Sequence, residues 1–131
     1  MLSELDVGLG FAHIAGEMKY VRPGIDASYV VFDIEILVKS AADFSFDCRK
    51  SLHIIDGRHP TVEIALGVDS ARTFTPNSLV FSPPENLIHL ITGANAAGKS
   101  TFLRQAALIV LLGQCGSFVP ARSCSFGVVD R

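Results

Sequence analysis

The sequence predicts an α/β fold of the P-loop NTPase type, preceded by an N-terminal helix. Three observations carry this. Apolar residues recur at helical spacing near the N-terminus, alternating apolar segments follow, and residues 85–115 give a strand–loop–helix pattern whose loop reads GANAAGKS. With 131 residues the chain is within the range of one domain with a sizeable core. Its 49% hydrophobic content against 18% charged residues argues against disorder and for extensive burial.

In residues 2–18, Leu2, Leu5, Leu9, Ala12 and Ala15 fall near one helical face, and Ser3 with Asp6 is expected to cap the first turn. Gly8, Gly10 and Gly16 weaken this helix by up to about 1 kcal/mol each, so packing against something else must hold it. Pro23 in YVRPG ends the pattern in a turn. Residues 29–38, YVVFDIEILV, alternate as a half-buried strand, and a poorly patterned connector follows. A second strand is expected at 52–55, and residues 57–60 turn the chain into a further strand at 61–66. Residues 85–92, ENLIHLIT, supply a short apolar strand before the loop. In the helix after it, Leu103, Ala106, Ala107, Val110 and Leu111 form one apolar face, with Ile109 and Leu112 on the other, and Gly113 or Gly116 marks the end.

A formal charge of −2 provides no global basic field for nucleic acid. Cys48, Cys115 and Cys124 form no CxxC pair, which fits reduced thiols and offers no zinc site. The longest strongly apolar run, residues 106–112, is far below the roughly 18–20 residues that span a bilayer, and no signal peptide is apparent, so a soluble intracellular chain without membrane contact is expected.

The chemistry is concentrated at Gly93-Ala94-Asn95-Ala96-Ala97-Gly98-Lys99-Ser100, which matches GxxxxGK[ST] at a strand-to-helix boundary. A glycine-rich turn lets backbone N–H groups face phosphates, and the helix N-terminus adds the positive end of its dipole. Lys99 is then expected on the β and γ phosphates, Ser100 on magnesium, and Thr101 on the first helical turn or a phosphate. Hydrolysis also needs an acid for magnesium and a group that orients water. Asp33, Glu35 and Asp130 are the weakly supported acids, each better read as strand-face or capping residues. Arg58 and His59 sit at a turn, with either a structural role or a hydrogen bond to a neighbouring loop. His13, His53 and His89 are isolated. Arg104 and Gln105 are an ordinary polar helix face or assist nucleotide or partner contacts, and Phe74 reads locally as a packing residue.

Beyond the loop, the blocks LSELDVGLGFAHIA (2–15), YVRP (20–23), DGRHPTVE (56–63), ARTFTPNS (71–78), ITGANAAGKSTFLRQAALIVLLGQCGSFVPA (91–121) and FGVVDR (126–131) resemble the ATPase domain of the MutS family of mismatch-repair and recombination proteins. ARTFTPNS is similar to the eukaryotic meiotic-recombination branch. The resemblance implies an ABC-like ATPase that binds ATP and Mg2+, pairs with a MutS paralogue and couples nucleotide state to a clamp on double-stranded or branched DNA. A nuclear location goes with that branch. It further implies adenine stacking for Phe74 and a nucleotide contact for Asn95. On this reading, residues 1–23 end a preceding helical region, 24–56 are a variable or inserted connector with strands, and 57–131 begin the ATPase domain.

Two departures stand against the family pattern: Ala94 replaces the usual proline, and 33 residues separate Pro23 from Gly57. The chain also ends before the family's Walker B acids, signature segment and water-positioning histidine. The fold is therefore expected to be incomplete, with weak or no ATP hydrolysis. The alternatives are a non-catalytic interaction remnant, or a small P-loop nucleotide kinase or GTPase, which would bring an arginine-bearing lid or an NKxD-like segment that the sequence lacks.

Overall fold

The computed structural model describes residues 2–30, 51–67, 73–83, 85–86 and 88–129. In order they form α1 (Leu2–Glu17), β1 (Gly24–Val30), β2 (Leu52–Gly57), α2 (Pro60–Gly67), β3 (Asn77–Phe81), α3 (Lys99–Gln114) and β4 (Ser123–Val128). The strands make one four-stranded sheet in the order β1-β4-β2-β3. Strand β1 runs parallel to β4, while β2 is antiparallel to both β4 and β3. Alternation along β4 explains its burial: Cys124 and Phe126 point into the core while Ser123 and Ser125 stay exposed. Together with Leu52 and Ile54 of β2, Leu79 of β3, Ile109 of α3, and Val119 and Ala121, they form the core.

Helix α3 lies close to the sheet because two glycines leave room. A Cβ on Gly113 would come within 2.6 Å of the Phe126 ring, and one on Gly57 within 2.7 Å of both Gln105 Nε2 and Ile54 Cγ2. The helix ends in a turn closed by Gly116 at φ +85, with Ser117 N–H donating to Leu112 O and Gly116 N–H to Gly113 O. Of the two glycines expected at this end, Gly116 is the terminator and Gly113 the packing contact.

Several expectations are corrected. Residues 60–67 are a helix, not a strand. Pro60 suits the first helical position, and His59 precedes it with its carbonyl accepting from Glu63 N–H and its Nδ1 facing Val62 N–H at 3.4 Å. Residues 88–94 form no strand, and Ile88 and Leu90 are 88% and 89% exposed, because no neighbouring strand among the described residues pairs with them. Helix α1 begins at Leu2, so Ser3 is inside it rather than its cap. Its expected apolar face is open to solvent at Leu5 and Leu9, and Ala15 is the one buried residue of α1 among those whose burial is described. On α3 the buried stripe is Gln105, Ile109 and Gly113, whereas Leu103, Ala107 and Leu111 face outward. Helical periodicity alone could not choose between two apolar stripes. Strand β1 starts at Gly24, earlier than the alternation at 29–38 suggests, and residues 31–38 lie outside the described residues.

Candidate functional site

The loop between residue 92 and α3 takes its shape from two left-handed residues, Ala96 at φ +63 and Gly98 at φ +87. Gly98 is the residue at the helix N-cap, and it adopts this conformation without the steric cost that Ala96 carries. Ala97 N–H donates to Ala94 O at 3.3 Å, which closes the turn. The first intrahelical bond runs from Phe102 N–H to Gly98 O, so the N–H groups of Lys99, Ser100 and Thr101 precede it and have no acceptor within the helix. They are aligned at the positive end of the α3 dipole, where an anion is favoured.

Lys99 folds back over this turn, its Nζ donating to Gly93 O and Ala94 O, each at 2.6 Å. An anion in the loop would compete with these two carbonyls for the ammonium. Asn95 and Ser100 are exposed on the same loop and first turn.

A cleft of about 360 Å³ opens beside the loop. Ala97, Gly98, Lys99, Thr101 and Phe102 line one side, Phe74, Thr75 and Asn77 another, with Ile91 and Thr92 between them. Phe74, 25 residues before Lys99, is thus brought to the wall of the cleft beside the loop. Asn77 Nδ2 donates to Thr75 O at 3.0 Å and fixes the segment that carries Phe74. Thr75, Asn77 and Thr92 were not singled out from sequence; the first two share the ARTFTPNS block with Phe74, and that block was the available signal.

The remaining candidates separate from this cleft. Arg58 joins three elements: its Nη2 donates to Met18 O at 2.8 Å, its Nε lies 2.9 Å from Glu63 Oε1, and its guanidinium sits 5.9 Å from the centre of the Tyr20 ring. The Tyr20 hydroxyl is pushed up from its usual pKa, first by burial and then by the Glu63 carboxylate, against the opposing Arg58 charge. Gln105 turns away from the cleft, is 2% exposed and leaves its Oε1 without a hydrogen-bond partner. Arg104 is exposed. His53 bonds Ser82, His89 bonds Val80 O and contacts the Phe81 ring edge-on, and His13 pairs with Glu17 along α1. Asp33, Glu35, Asp130 and Cys48 lie outside the described residues. No group of three metal-ligating side chains occurs among the described residues. The cleft therefore presents backbone N–H groups, one ammonium, hydroxyls and the two aromatic rings of Phe74 and Phe102.

Residues 89–131 match the family described as MutS domain V. Over 99% of its length the chain is similar to proteins named DNA mismatch repair protein MutS. It is 39% identical to that of Alkaliphilus metalliredigens over 130 residues, 43% to that of Bartonella tribocorum over 134, and 46% to that of Rickettsia rickettsii over 130. It spans 12% of the length of each of these relatives. The mixed α/β fold is consistent with part of such a domain.

Proposed function

We propose that this chain is the phosphate-binding part of a MutS-type ATPase, taking ATP with Mg2+ in the cleft beside α3. The observation that supports it best is the meeting of Phe74 with Ala97, Gly98 and Lys99 around one cleft. The triphosphate lies against the N–H groups of residues 93–101, Lys99 exchanges its two carbonyl contacts for the β and γ phosphates, and Ser100 gives its hydroxyl to magnesium. Phe74 stacks on adenine. Asn95 and Thr101 complete the loop contacts. In the full-length protein, nucleotide state is coupled to a DNA clamp formed with a second MutS-type subunit. The names of the bacterial relatives favour mismatch repair over the meiotic branch.

The cleft wall contains no carboxylate or imidazole among the described residues, so binding is expected from this chain rather than turnover. Titration with Mg-ATP and Mg-ADP tests the reading. Lys99→Ala should weaken binding at least tenfold, and Phe74→Ala should weaken adenosine nucleotides while sparing inorganic triphosphate. Equal affinities in the native chain and K99A would sink it. The exposed Ile88 and Leu90 support the interaction-remnant alternative, in which the chain binds a fuller ATPase subunit and no nucleotide.

A further inference from the structure

The alternation along β2 buries Leu52 and Ile54, then breaks. Its pairing register to β3 shifts between Ile54 and Gly57, Asp56 adopts φ +49, and Gly57 becomes the next buried residue. The irregularity therefore turns the bare Cα of Gly57 toward α3, where Gln105 and Ile109 pack over it. A methyl there would stand 2.7 Å from Ile54 Cγ2 on its own strand and, across the interface, 2.7 Å from Gln105 Nε2 and 3.0 Å from Ile109 Cδ1, up to 0.7 Å short of the 3.4 Å where ordinary contact begins. Both side chains are fully enclosed, Ile109 at 0% and Gln105 at 2% exposure, so the strain passes to the helix. Gln105 lies six residues after Lys99, about 9 Å along a rigid helix, so a displacement at the notch moves the first-turn N–H groups with it.

We infer that Gly57 is a positioning residue for the phosphate loop, and that the Gly57–Gln105 notch sets the height of α3 and hence the aim of its N-terminal N–H groups. The inference rests on the nucleotide-binding reading above. Misplacement of a binding group by about 1 Å is costly in such sites. The unpartnered Oε1 of Gln105 gives a way to relieve the notch, since removing this carboxamide breaks no hydrogen bond at that oxygen.

The test compares the native chain, Gly57→Ala, Gln105→Ala and the pair G57A/Q105A, well below their melting temperatures, by Mg-ADP affinity and by amide hydrogen exchange at residues 102–104, the first hydrogen-bonded amides of α3. G57A should bind at least tenfold more weakly and exchange faster at 102–104 with β4 unchanged, and the pair should return toward Q105A in both. A G57A that is merely less heat-stable, with native affinity and exchange, overturns the inference, as does a loss that Q105A fails to relieve. If G57A does not fold, the pair against Q105A decides: matching values support the notch, and a more than tenfold gap or an unfolded pair refutes it. No Mg-ADP binding by the native chain would defeat the nucleotide reading alone, because exchange at 102–104 still judges the notch.

Discussion

At the scale of single residues, environment separates side chains of the same type. Cys115 is exposed on the turn after α3, whereas Cys124 is buried in β4, and burial pushes its thiol up to about 11. The thiolate is the nucleophile, so Cys115 should be carbamidomethylated in the folded chain at pH 8.5 while Cys124 reacts only on unfolding. Peptide mass mapping reads this, and equal rates would contradict the burial. Because the folded thiol holds its proton above the usual value of 9.0, its stabilising contribution is complete below pH 9 and is lost as pH rises toward 11. The GxxxxGK[ST] spacing that contains Lys99 was readable in the sequence because it is local. Gly57 was not, since its role comes from a helix about fifty residues further along the chain.

Between elements, Arg58 ties the segment just after α1 to α2. The last turn of α1 carries no basic residue of its own, and Arg58 supplies a cation to the Met18 carbonyl just past its C-terminal end. Arg58→Ala should cost about 1–3 kcal/mol, because it removes a charged donor and leaves the half-buried Glu63 without its partner. Hydrogen exchange should then quicken at least tenfold in the last turn of α1 and leave the β2–β4 ladder unchanged; unaltered protection there would remove Arg58 from this role. The sequence located α1, β2 and α3 by periodicity and the end of α3 by glycine. It misassigned residues 60–67, where Val62, Ile64 and Leu66 alternate as in a strand but the Pro60 start and the His59 contacts favour a helix.

Across the whole molecule, the hydrophobic half of the composition is only partly used internally. A groove of about 500 Å³ between α3 and the β2–β3 side of the sheet is lined by apolar residues including Leu103, Leu111, Phe81 and Ile91, and α1 adds exposed Leu5, Val7 and Leu9. Apolar surface on this scale promotes association. The chain alone should sediment as larger species with rising concentration, and Leu103→Glu with Leu111→Lys should suppress this; concentration-independent monomers in the native chain would contradict it. By itself the sequence determined the GxxxxGK[ST] spacing at residues 93–100, the helix behind it and the likeness to MutS proteins, because those signals are local and set by spacing. Tertiary structure alone decided which stripe of α3 is buried and that residues 88–94 stay outside the sheet, and it brings to the cleft Phe74, to which only the family resemblance pointed. Each of these depends on which surfaces meet across long chain separations, and periodicity carries no information about that.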